Sequence, residues 1–236
     1  MFFFDPLWFV IMLPPLVFMI YAQAKVASTY GKYSKVASMN RVTGAQAAEK
    51  LLAMNGLGGV KVESVKGRLT DHYDPRKKVL RLSPDNFNGV SVASVGIVAH
   101  EVGHAVQDAT GYAFMKFRTS LVPAANLGSQ LGFISVLVGA LLAGMGAAFG
   151  TTIIWAGVFL FSLVVLFSLV TLPVEFNASN RARAMLQSAG LASVSDYQGA
   201  SAVLSAAALT YVAATLQAAA QLFYFISIAM GSGRRQ

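Results

Sequence analysis

Between residues 119 and 172 the chain carries no Lys, Arg, Asp or Glu, and no other feature constrains the fold as strongly. Within that stretch lie two apolar runs, 127–149 and 151–172, each close to the ~20 residues a helix needs to cross a ~30 Å hydrocarbon core. Hydrocarbon offers a backbone no hydrogen-bond partner, so such runs must form helices, and the pair reads as a transmembrane hairpin turning at about Gly150. A third apolar run, 2–21, lacks a basic leader and a small-residue cleavage site; with Asp5-Pro6 near its start it suits a retained anchor better than a removed signal peptide. The 56% hydrophobic and 12% charged composition agrees with a multi-pass membrane protein that has a modest aqueous part.

Charge places that aqueous part. Of 18 Lys and Arg residues, 14 fall between Lys25 and Arg118. The residues that flank the spans, Lys25, Lys32 and Lys35, Lys116 and Arg118, and Arg181 and Arg183, all predict a cytoplasmic location by the positive-inside rule. The net charge of +8 is not arranged as a basic stripe interleaved with aromatics, and no zinc-finger spacing occurs, so nucleic acid is not an expected partner. Contact with anionic lipid of the bilayer is the expected use. The absence of cysteine removes disulfides and thiolate metal sites, leaving His and carboxylate as candidate ligands.

Those ligands converge in His100-Glu101-Val102-Gly103-His104. On a helix, positions i and i+4 share a face, so both imidazoles can bind one Zn²⁺ while Glu101 projects toward a water on the metal. Neutral imidazole suits zinc, a third protein ligand leaves the fourth position open for water, and the ion lowers that water's pKa toward about 7. Small and apolar neighbours, among them Val95, Val98, Ala99 and Ala105, suit a buried helix whose polar face looks into a cleft. Gly103, between the ligand positions, leaves room for another element to approach, at about 1 kcal/mol of helix propensity relative to Ala.

Around this motif the pattern predicts a helix at 43–55, opened by the capping box Thr43-Gly44-Ala45-Gln46, then strands near 60–65, 69–73 and 79–82. The last of these, Val79, Leu80, Arg81 and Leu82, is the candidate strand for pairing with an extended substrate. Two residues compete as third ligand: Glu175, returned to the same membrane face by two spans and following Pro173, which suits a helix start near Val174, and His72. His72 is otherwise a structural or substrate-contacting residue. Tyr73 is a candidate donor to a developing oxyanion, and Asp71 and Asp74 are turn residues or partners of an imidazole. The region 200–230 is Ala-rich and becomes strongly apolar only from Leu222; a full crossing would leave Arg234 and Arg235 outside, so its spanning is left open. No repeat or linker is apparent, and a single domain over 1–236 is expected: an anchor at 1–22, a cytoplasmic segment with the sheet and motif helix at 23–120, the hairpin at 127–172, and helices from 173 to 236.

Three blocks, Leu69-Thr70-Asp71-His72-Tyr73-Asp74-Pro75, Ala99 through Gln107, and Pro173-Val174-Glu175-Phe176-Asn177-Ala178-Ser179, together resemble the YugP-type neutral zinc metallopeptidases of bacterial membranes, nearly end to end. The resemblance implies an α-helical membrane protein with a small β-sheet around a zincin-like, gluzincin-type core, lying in the bacterial plasma membrane. It implies one Zn²⁺ per chain on His100, His104 and Glu175, with Glu101 as catalytic base. The Glu175 block is also similar to the Glu-x-x-x-Asp element of HtpX-type membrane zinc proteases, but its last position here is Ser179. A serine can orient an imidazole only by a neutral hydrogen bond, so Asp74 is a possible substitute, and Asn177 joins the residues expected beside the metal.

The expected activity is endopeptidase cleavage of protein or peptide substrates, membrane-associated ones above all, at the cytoplasmic face. A regulatory membrane partner cannot be read from the residues. A site-2-type intramembrane protease also carries HExxH, but its site is completed by an Asp in a later span, and no later span here has one. The rival of a different class is a membrane scaffold or assembly factor whose zinc is structural.

Overall fold

A computed structural model of the chain describes residues 6–233. Among them the elements run α1 (Pro6–Tyr33), α2 (Gly44–Met54), β1 (Lys61–Ser64), β2 (His72–Asp74), β3 (Val79–Leu82), α3 (Pro84–Phe87), α4 (Val92–Ala109), α5 (Ala113–Gly144), α6 (Gly150–Ser188) and α7 (Val194–Gly233). The protein is therefore mostly helical with one small sheet. Four helices, α1, α5, α6 and α7, are long and apolar enough to cross a membrane, so the region left open in the sequence forms a single helix of that kind. The expectations for Asp5, Arg234 and Arg235 fall outside the described residues.

α6 runs unbroken through Pro173, so the helix start expected near Val174 does not occur. Proline removes one donor, but the other backbone groups of this segment stay paired when the helix continues, so Pro173 is carried inside it. Pro14, Pro15 and Pro123 lie inside helices in the same way. The hairpin turn occupies residues 145–149, and Gly150 begins α6.

Contacts cluster into two units, each assembled from separate stretches of chain. Among the described residues, one comprises 6–21, 117–172 and 210–233. In it Val136, Ile154, Val158, Tyr224, Phe225 and Ala229 of α5, α6 and α7 form a buried cluster. A Cβ on Gly157 would stand 2.8 Å from the Gly132 carbonyl oxygen, so these two helices meet backbone to backbone, the packing that hydrocarbon favours where no hydrophobic force drives helices together.

The other unit comprises residues 22–116 and 173–209 and is organised around α4. Ser91 caps α4, its hydroxyl accepting from the Ser94 amide, and 14 of the 18 residues of the helix are buried, far more than one apolar stripe would bury. Ala47, Ala48, Leu51 and Leu52 of α2, Leu80 and Leu82 of β3, Val174, Ala182 and Leu186 of α6, and Ala200 and Leu204 of α7 share its core. α2 starts with the expected capping box: the Thr43 hydroxyl accepts from the Gln46 amide while the Gln46 side chain accepts from the Thr43 amide. The sheet order is β1-β3-β2, with β3 parallel to β1 and antiparallel to β2.

At Gly103 the approach of α6 to α4 is set by backbone alone, since an added Cβ would meet the Ala178 carbonyl oxygen at 2.6 Å. Gly103→Ala is expected to destabilise the protein by about 1–3 kcal/mol through overpacking, whereas Gly58→Ala, with nothing within 4 Å, should stay within about 0.5 kcal/mol. Thermal unfolding in detergent compares the two, and equal melting temperatures would contradict the close approach.

Candidate metal centre

α4 carries both imidazoles on one face, their ring centroids 4.7 Å apart and their planes near perpendicular at 86°. α6 supplies Glu175, whose side chain is only 2% exposed. Its Oε2 lies 3.2 Å from His100 Nε2 and 3.5 Å from His104 Nε2, and one ligand atom from each of the three residues lies within 4.8 Å of the others. A buried carboxylate without a cation is costly, and here two ring nitrogens face it.

Hydrogen bonds to the far side of each ring decide which nitrogen is free. The Gln107 amide donates through Nε2 to the Val174 carbonyl oxygen at 2.7 Å and to Asn177 Oδ1 at 3.0 Å. A carbonyl only accepts, so the amide's NH₂ must face it and Gln107 Oε1 must face His104 Nδ1, 3.0 Å away. Nδ1 then carries the hydrogen, and the Nε2 lone pair points toward Glu175. For His100 the Nδ1 partner is Ser179 Oγ at 3.2 Å, which can accept the same kind of bond. Asn177 is steadied in turn by Arg181, whose Nε donates to its Oδ1 at 2.8 Å. Both rings thus have a neutral partner on Nδ1 and turn Nε2 toward Glu175, an arrangement that suits a metal-binding histidine.

Electrostatics favours positive charge at the same place. Burial disfavours the His104 imidazolium, but the hydrogen bond with Glu175, the charges of Glu101 and Glu175, and the Gln107 contact outweigh it and raise its pKa above the ordinary histidine value. Two imidazole nitrogens and a carboxylate oxygen, held at this spacing with oriented rings, fit a divalent ion of zinc's preferences.

Glu101 is buried beside this cluster without belonging to it; its Oε2 accepts from the Tyr73 backbone N–H at 3.1 Å. The Tyr73 hydroxyl donates to Asp108 Oδ2 at 2.8 Å, and Lys78 pairs with the same oxygen. Tyr73 therefore pins β2 to α4 at two points about two turns apart on one face of the helix. Burial, the bond to Asp108 and that residue's charge hold the phenol pKa well above its usual value, so the hydroxyl stays protonated and committed, and the oxyanion role expected of it has no free donor.

Several expected site residues stand elsewhere. His72 is exposed on β2, its Nδ1 2.8 Å from the Thr70 carbonyl oxygen, and it takes no part in the three-residue cluster. Asp74 accepts from Arg81 Nη1 at 2.9 Å and from the amides of Arg76 and Lys77, which hold its pKa below the usual carboxylate range, so it does not substitute at His100. Asp71 holds Ser83 and Asn86. Val79, Leu80, Arg81 and Leu82 form β3, the central strand, both of whose edges are already paired, so they cannot add a substrate strand; the edges belong to β1 and β2. Gln107 and Asp108 were not anticipated, although positions three and four beyond His104 return to its helix face and signal a polar partner there.

The chain matches the model of the family described as "Putative neutral zinc metallopeptidase" over residues 8–230. It is 43% identical over 208 residues, 88% of its own length and 90% of the relative's, to the "Putative membrane protease YugP" of Bacillus subtilis (strain 168). No solved structure matches.

Replacing Gln107 with Leu removes the His104 partner and frees the Val174 and Asn177 contacts. Zinc affinity, read by competition with a chromophoric chelator, is expected to fall about 10–100-fold. Ser179→Ala should weaken it less, since one neutral bond is lost rather than three; unchanged affinity in Gln107→Leu would contradict the orienting role.

Proposed function

The chain belongs to the neutral zinc metallopeptidase family, and from that premise we propose that it is a zinc-dependent endopeptidase of the membrane with a gluzincin-type site. The observation that carries this reading is the meeting of His100, His104 and Glu175, with Glu101 held beside them but outside the cluster. His100 and His104 would hold zinc through Nε2 and Glu175 through its carboxylate. Bound there, zinc supplies a Lewis acid that polarises a carbonyl and lowers the pKa of water.

The protein's own groups do the rest. Glu101 accepts the proton of the attacking water and passes it to the leaving amine nitrogen. Tyr73 sets the position of that carboxylate through its backbone N–H. β2 is an edge strand lying along α4, so an extended substrate backbone would run beside it, with β2 rather than β3 as the pairing partner. The juxtamembrane Lys and Arg residues support a cytoplasmic location, where the substrates would be membrane proteins or their loops and tails.

Purified wild type with one zinc per chain is expected to cleave casein or a peptide. Chelation should abolish cleavage and added zinc restore it. Glu101→Gln should keep its zinc and lose at least about 100-fold in rate, while Glu175→Ala should lose zinc. Full zinc occupancy with no hydrolysis by wild type would favour a structural metal in a scaffold, and normal cleavage by Glu101→Gln would remove that residue from catalysis.

A further inference from the structure

A second feature of the α4-centred unit stands apart from the metal centre. Residues Lys25, Thr29 and Lys32 of α1 and Ala202, Ala206 and Leu209 of α7 line an open groove of about 520 Å³. Lys25 and Lys32 are seven residues apart and share one face of α1. The floor on α7 is apolar. Ser205, also in the lining, accepts from Arg183 Nη2 at 2.9 Å, which brings a third cation to the rim.

Among the described residues no carboxylate lies within ion-pair distance of Lys25, Lys32 or Arg183. The Lys32 ammonium stands 5.0 Å from the centre of the Tyr33 ring, and Arg183 is held by the neutral oxygens of Ser201, Asn180 and Ser205. A cleft that offers apolar floor and positive charge fits an amphipathic anion.

Its place in the sequence narrows the class. Lys25 follows the apolar stretch of α1 directly, and Leu209 precedes the C-terminal part of α7, which becomes strongly apolar from Leu222. From Lys25 to Lys32 the helix advances about 10 Å. A bilayer's headgroup layer is about 5–8 Å thick on each side, so lysines at this spacing bracket the level at which phosphates sit. Basic clefts between helices at this level are the sites that anionic lipid headgroups take.

We propose that this groove binds one anionic phospholipid, with its phosphate against Lys25 and Lys32 and the start of an acyl chain along Ala202, Ala206 and Leu209. The site does not depend on the peptidase reading. It does touch the same scaffold, because an added Cβ on Gly199 of α7 would meet the Tyr33 ring at 2.6 Å and Val92 at the start of α4 at 2.8 Å, so the groove's wall packs on the motif helix.

The test uses full-length protein in a neutral detergent, mixed with 1-palmitoyl-2-oleoyl phosphatidylglycerol or the matching phosphatidylcholine, with retained lipid counted by native mass spectrometry. Wild type is expected to hold one phosphatidylglycerol and no phosphatidylcholine, and millimolar inorganic phosphate should not displace it. Lys25→Gln with Lys32→Gln, at exposed positions, should weaken retention about tenfold or more. Lys61→Gln with Lys66→Gln should leave it unchanged, and Ala202→Leu, which fills the floor and keeps the charges, should weaken it comparably with an unaltered melting temperature. Equal retention of the two lipids, loss in the Lys61 and Lys66 pair, full displacement by phosphate, dimer formation in place of lipid binding, or undiminished retention in the Lys25 and Lys32 pair would each overturn the proposal. So would undiminished retention in folded Ala202→Leu.

Discussion

The contact of α6 with α4 at Gly103 governs the site. Because no side chain intervenes, the Ala178 carbonyl lies against α4, and Glu175, three residues earlier, reaches both imidazoles. Gln107 then bonds across the same seam, so one buried amide sets the His104 ring and ties down the turn of α6 that carries Glu175. Geometry at the metal centre is thereby a property of helix packing, which changes little with temperature or local breathing, and not of a loop.

The remaining elements serve that packing. α2, the sheet and α7 close round α4, so that the HExxH helix is the interior of its unit and not an exposed rib. β2 is the one strand fastened to the polar face of α4, through the Tyr73 amide on Glu101 and its hydroxyl on Asp108. Glu101, the proposed base, is thus positioned by the backbone of a strand and not by a mobile side chain alone.

How much of this is legible in the residues depends on the range of the interaction. The two imidazoles, the α2 capping box and the apolar helices follow from spacing within one element, and periodicity suffices. The sheet's strands follow from the pattern, but their order does not, because a short central strand and a short edge strand look alike in sequence; the strand expected to pair with substrate, β3, is the central one. Pro173 misleads for a physical reason: proline suits a helix start, but a long helix can also carry it internally at the loss of one donor, and the residue alone does not tell the two apart. Ser179, at the place of an aspartate in the similar element, still reaches His100, with a neutral bond in place of a charged one. The Gln107 network joins positions about seventy residues apart, and no local pattern encodes such a pairing.

Anomalous scattering at the zinc edge from crystals of the zinc-loaded protein tests the central claim most directly. The account predicts a single peak within about 2.0–2.2 Å of His100 Nε2, His104 Nε2 and a Glu175 carboxylate oxygen, with Glu101 outside that shell. A zinc peak bound without Glu175, or bound at His72 in its place, would contradict it.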